Sequence, residues 1–179
     1  MKHVMLDLET MGTRPGSVIL SIGAVFFDLA GNTGDTFYRN ISGRSCIDAG
    51  LKVDPRTREW WSRQSLEART AVSTDQQPLD RVARDFSHWL RAGGGVFVWG
   101  QGASFDPPLW EAASEAVGRS APWRFWNIRD TRTVYDLFNF DDKAMPRAGT
   151  YHNALDDARH QVACVAAALR NPFNAPVQA

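Results

Sequence analysis

The sequence predicts an α/β domain, a sheet of five strands flanked by helices. Three observations predict it. Near the N-terminus, three strand-like apolar runs follow one another with only short turns between them. Two further short runs, Val96–Gly100 and Trp123–Ile128, alternate with segments of helical periodicity, the pattern that α/β folds leave in a sequence. The first run also ends in two acids where an apolar core strand would continue.

That first run is Val4-Met5-Leu6-Asp7-Leu8-Glu9-Thr10, closed by the turn chemistry of Met11-Gly12-Thr13-Arg14-Pro15-Gly16. On a strand, residues i and i+2 point to the same face, so Asp7 and Glu9 project together, roughly 7 Å apart at Cα. Two like charges held side by side repel, and burying them is costly unless a positive partner stands between them. A divalent cation is such a partner, and oxygen-only ligands favour a hard ion such as magnesium or manganese. The alternative for the pair alone is an edge strand with a solvated outer face.

Ser17–Asp28 reads as a long second strand, Ala30–Gly34 as a turn, and Thr36–Ile41 as a third strand, together an antiparallel meander. Asp54 is a candidate N-cap before Pro55, opening a helix that carries Trp60 and Trp61. Adjacent residues cannot share a helical face, so one tryptophan serves the core and the other faces a nucleobase, or both pack against the sheet. Pro78–Leu90 is amphipathic, with Leu79, Val82, Ala83, Phe86, Trp89 and Leu90 on one face, and Gly93-Gly94-Gly95 stops it. After the strand Val96–Gly100, Gln101–Pro108 is a strand-to-helix junction. Asp106 there reads either as an N-cap or as a third carboxylate at the carboxyl end of a strand, where α/β folds place their sites. Asp130 reads as an N-cap first and a site residue second, opening a helix through Phe138. The last helix begins near Thr150–Asn153, with Leu155, Ala158, Val162, Val165 and Leu169 as its core face.

Composition narrows the classes. The chain has 179 residues, which suits a single domain over 1–179 with a loose tail at 171–179. Lys+Arg and Asp+Glu number 20 each, so a polyanion would be held through local patches and bound metal rather than a broad positive field. Cys46 and Cys164 lack metal-site spacing and read as packing residues. Met1-Lys2-His3 runs straight into the first strand and no apolar run is long enough to cross a bilayer, so a cytoplasmic location is expected.

Asp7-x-Glu9, then Asp106 after a strand, then His152-x-x-x-x-Asp157 at a late helix, form an ordered set. With the phrases Leu6-Asp7-Leu8-Glu9-Thr10-Met11-Gly12 and His152-Asn153-Ala154-Leu155-Asp156-Asp157-Ala158, the chain resembles the DEDDh group of 3′→5′ exonucleases over nearly its whole length. Within that group it is similar to a phage exodeoxyribonuclease branch and a small bacterial exoribonuclease branch. The resemblance implies the ribonuclease H-like fold, with three antiparallel strands followed by parallel ones. It also implies that Asp7, Glu9, Asp106 and Asp157 hold two divalent cations, Mg2+ or Mn2+, with His152 as general base. By the same resemblance Thr10 and Met11 contact the terminal nucleotide, with Trp61 and Gln64 as weaker candidates. The family's spacing selects Asp157 over the adjacent Asp156.

Physical chemistry agrees with these roles. Two metals can bridge a phosphate and stabilise a leaving oxygen, and histidine titrates near neutrality. A five-residue step turns an ideal helix by roughly 140°, so His152 belongs on the loop entering the helix and Asp157 on the helix itself. The expected activity is metal-dependent removal of nucleoside 5′-monophosphates from the 3′ end of single-stranded DNA or RNA, and related small exonucleases often pair as homodimers. The rival readings are a catalytically silent nucleic-acid or partner-binding module and a dinucleotide phosphodiesterase.

Overall fold

A computed structural model describes residues 1–170; the expected tail at 171–179 lies outside the described residues. Its core element is a five-stranded sheet. β1 (His3–Thr10), β2 (Ile19–Phe27) and β3 (Thr33–Asn40) form the antiparallel meander, and β4 (Phe97–Gly100) and β5 (Ile128–Asp130) add parallel strands on the other edge of β1, giving the order β3-β2-β1-β4-β5. This is the mixed sheet that the resemblance implies. Helices α1 (Gly43–Asp48), α2 (Pro55–Ser62), α3 (Leu66–Ala71) and α4 (Leu79–Ala92) precede β4; α5 (Asp106–Ala116) precedes β5; α6 (Thr131–Leu137) and α7 (Ala154–Arg170) follow it.

Strand alternation sorts the sheet into two cores. Val4, Leu6 and Leu8 join Ile22, Ala24 and Phe26 under Val82, Phe86 and Leu90 of α4 and Leu109 and Trp110 of α5. Met5, Val25, Phe27 and Trp99 face Tyr135 of α6 and Ala158, Val162 and Val165 of α7. The two acids of β1 share the second face with Met5, so they point at the side that α7 covers. Gly23 on β2 makes that approach possible. A Cβ there would lie 2.2 Å from the backbone of Ala154 and Leu155, so only glycine lets the first turn of α7 lie against the sheet.

The caps read from the sequence form. Asp54 accepts from the amides of Arg56 and Thr57 before α2, and Asp130 from Arg132 before α6. Two strands and two helices differ from expectation. The third strand starts at Thr33, because the turn sits earlier, where Asp28 accepts from the amides of Ala30 and Asn32. The fifth strand is not Trp123–Ile128 but the three residues Ile128–Asp130. The aromatic run that suggested a strand is a 3-10 turn, Phe125–Asn127, with Phe125 77% exposed. Helices α1 and α3 are six residues each, too short for apolar periodicity to register, although Ser42 and Ser65 cap them. Among the described residues no helix is long and apolar enough to cross a membrane.

Candidate functional site

β4 pairs with β1 only as far as Met5↔Trp99, so the last residues of β1 lose their neighbour on that edge. The chain then turns through Gln101–Phe105 into α5, and the Asp106 carboxylate fills the gap by accepting the Leu8 N–H at 3.1 Å. Asp106 is therefore not an N-cap. It is the first residue of α5, after Phe105 at the cap position, and it lies beside Asp7 and Glu9, 3% exposed. From the opposite side α7 brings Asp157, four residues into the helix. Asn153 caps α7 by accepting from the amides of Leu155 and Asp156. His152 lies just outside the helix on the entering loop, with φ 62°, a left-handed conformation that non-glycine residues rarely adopt.

All five residues line one cleft of about 840 Å³. Glu9, His152 and Asp157 each direct a ligand atom so that the three lie within 4.8 Å of one another. Burial pushes the Glu9 carboxyl up to about 8 and Asp106 up to about 7. Asp7 stands well above the usual carboxylate range, first through burial and then through the charges of Asp106 and Glu9. His152 Nδ1 is 3.9 Å from Glu9 Oε1, too long for a hydrogen bond. Burial, and then Arg147, hold the His152 pKa below its ordinary value.

This much unneutralised carboxylate carries a linked prediction. An acid whose pKa is higher in the folded protein contributes stability that is complete below its unfolded value and lost as pH rises through the folded value. For Glu9 that window runs from 4.5 to about 8. One pKa unit is about 1.4 kcal/mol, and each kcal/mol moves Tm by roughly 2–4 °C. With chelator present, Tm is expected to fall by about 5 °C or more between about pH 5 and about pH 8.5, and magnesium to restore it at the alkaline end. A flat melting profile in chelator would show that folding does not oppose ionisation of these carboxyls.

The other residues named from the sequence divide. Thr10 lines the cleft, but its hydroxyl donates to the Gly12 carbonyl and its own carbonyl accepts the Trp61 indole N–H at 2.8 Å. Trp61 also lines the cleft while only 4% exposed. Met11 packs on the core and Gln64 donates to the Trp60 carbonyl; neither is among the cleft's lining residues. Asp156 accepts the Thr150 N–H and so fixes the loop that carries His152. Gly149 (φ 87°) is needed there, because a Cβ would meet the Asp156 carboxylate at 2.5 Å.

Of the two tryptophans weighed in the sequence, Trp60 is the exposed one, at 42%, and stands edge-to-face against His152 at 4.9 Å. Two site residues escaped the sequence reading. Gln161 donates to Asp7 at 2.7 Å, and its Oε1 is buried without a hydrogen-bond partner. It lies one helical turn beyond Asp157, a spacing that could have revealed it. Arg147 pairs with Asp157. It sits on an irregular loop where no periodic cue exists.

Comparison with known proteins follows the same direction. A family profile described as "3'-5' exoribonuclease Rv2179c-like domain" matches residues 2–169. The exodeoxyribonuclease of enterobacteria phage T4 is 25% identical over 160 residues, covering 72% of this chain and 68% of the phage protein. Among solved structures, the nuclease domain of 3′hExo, a DEDDh family member bound to rAMP, has a TM-score of 0.63 at 11% identity, covering 94% of this chain and 91% of that one. Exonuclease I of E. coli in complex with a dT13 oligonucleotide has a TM-score of 0.64 at 12% identity, covering 94% of this chain and 41% of that one.

Proposed function

The chain belongs to the family of 3′-5′ exoribonuclease Rv2179c-like domains, DEDDh-type exonucleases, and on that premise we propose its substrate and mechanism. It takes the 3′ end of single-stranded DNA or RNA and releases nucleoside 5′-monophosphates, with His152 as general base. The observation that supports this reading is the convergence of Asp7, Glu9, Asp106, Asp157 and His152 on one cleft from three separate elements and a loop.

The donor set fits divalent cations. Carboxylates that raise one another's pKa need positive charge between them, and oxygen donors suit magnesium or manganese. Asp7, Glu9, Asp106 and Asp157 would hold two such ions, which would supply charge stabilisation to the phosphate and to the leaving oxygen. The chain's own residues do the rest. His152 takes a proton from the attacking water as the new O–P bond forms, the P–O3′ bond breaks, and the O3′ alkoxide takes a proton from solvent, so that the shortened strand leaves with a 3′-hydroxyl. Gln161 holds Asp7 in orientation. Thr10 and the two tryptophans border the nucleotide. Trp60 offers its exposed indole as a stacking face, worth roughly 1–3 kcal/mol per base.

Trp60→Ala is therefore expected to raise KM about tenfold with little change in Tm. Trp61→Ala should weaken binding and also cost about 3–5 kcal/mol of stability, because it empties a core position. Kinetics and melting on both variants separate the roles, and unchanged binding in both would remove the tryptophans from the substrate path.

The function itself is tested by a time course on 5′-labelled single strands, DNA and RNA in parallel, with manganese and with chelator. Metal-dependent ladders shortening from the 3′ end are expected. Silence on both strands with manganese present, while binding persists, would instead indicate a silent binding module. Activity confined to dinucleotides would indicate a small-substrate phosphodiesterase.

A further inference from the structure

We propose that Arg147 is a catalytic residue: its guanidinium binds a non-bridging oxygen of the phosphate being cleaved, and it reaches that oxygen by releasing Asp157. This rests on the exonuclease reading of the same cleft.

Arg56, Arg132 and Arg147 all line the cleft, but Arg56 and Arg132 are exposed, whereas the Arg147 side chain is 17% exposed and paired with Asp157. Its positive charge also reaches Asp7, Glu9 and His152. A guanidinium carries five N–H donors in a planar fork, and both Nε and Nη2 of Arg147 are buried with no hydrogen-bond partner, so its contact with Asp157 is one of charge alone. A buried charged donor left unpaired is expensive, so the pairing with Asp157 does not satisfy this side chain. A phosphate does, because two of its oxygens match the fork.

Two competitions favour the exchange. A guanidinium and a divalent cation contend for the same Asp157 oxygen, and the cation carries the larger charge. A phosphate entering the cleft then offers the displaced guanidinium a new anion. The Tyr151 ring, 4.2 Å from the guanidinium carbon, gives it a face to stay on while its partner changes. The loop also couples the residue to the reaction. Arg147 lies five residues before His152, and Thr150 between them is tied through its amide to Asp156 and through its hydroxyl to Glu67. Arg147 and the general base thus border the same point from one anchored segment.

The alternative is a counter-ion that merely pins the loop. Arg147→Ala and Arg147→Lys in the full chain decide between them, read by manganese titration without substrate, by binding of adenosine 5′-monophosphate and of adenosine with manganese present, and by kcat and KM on single strands. For Arg147→Ala the expected results are manganese affinity unchanged or raised, adenosine monophosphate affinity lowered at least about tenfold with adenosine unaffected, and kcat lowered about 10²–10³-fold, as for loss of a preorganised donor to a transition-state oxygen. Arg147→Lys should recover part of kcat, and it keeps the loop's positive charge if the alanine variant fails to fold. Manganese affinity falling in step with kcat, equal losses for adenosine and its monophosphate, or full kcat in the alanine variant would each overturn the proposal. If the unsubstituted protein releases no mononucleotides, the exonuclease reading fails, and the adenosine against monophosphate comparison still decides whether Arg147 binds phosphate.

Discussion

Asp7→Asn is expected to lower turnover by at least about 10³-fold while raising the thermal stability of the chelated protein. Both effects follow from one atom's charge. Burial first, and then Asp106 and Glu9, oppose the ionisation of Asp7. Asparagine keeps the size and the oxygen that accepts from Gln161, so the fold has no reason to change. The repulsion disappears, and stability that the site withholds from the fold is recovered. The same change removes a ligand from the cation site, and several kcal/mol of transition-state stabilisation at about 1.4 kcal/mol per tenfold amounts to three or more orders of magnitude. Steady-state rates with saturating manganese and melting in chelator are the two measurements. Near-normal turnover would refute the site. Lost turnover with lowered stability would mean that the residue supports the fold and that the chemistry is elsewhere.

What the sequence announced and what it hid divide along a physical line. Asp7 and Glu9 are legible because a period of two on one strand is a local property, whereas His152 and Asp157 are named by the resemblance of one continuous phrase, and the five-residue step adds only that the histidine precedes the helix. The meander, the caps at Asp54 and Asp130, and the core face of α4 are local in the same sense. Asp106 was ambiguous because its partner, the Leu8 amide, is 98 residues away, and a gap left where β4 stops pairing has no trace in the surrounding residues. The fifth strand was misplaced because Phe125 and Trp126 carry strand-like composition on an exposed turn, where composition and burial part company. Arg147 belongs to a loop, and which anion a loop arginine meets is decided only by how the elements around it fold together.

His152→Ala is expected to lower kcat by about 10²–10⁴-fold, the usual worth of a positioned general base, with cation affinity nearly intact. The distinction is needed because His152, Glu9 and Asp157 are close enough to share a single ion. If the imidazole is a ligand, affinity for manganese falls together with kcat, and the general-base role is lost. If it is the base, the deficit is in proton transfer alone, and added imidazole should restore part of the rate. The pH profile supplies the sign. A base must be neutral to accept a proton, so the rate falls as pH drops through the His152 pKa. Burial and the nearby Arg147 hold that pKa below its ordinary value, which places the acid limb below the ordinary histidine range. Removing the imidazole should abolish this limb. The left-handed backbone at His152 permits a sharper control, because asparagine tolerates that conformation and cannot act as a base. His152→Asn should therefore match the alanine variant in rate while keeping the loop's geometry. An asparagine variant with wild-type turnover would place the proton elsewhere, and then the edge-to-face packing of His152 against Trp60 would be its whole contribution.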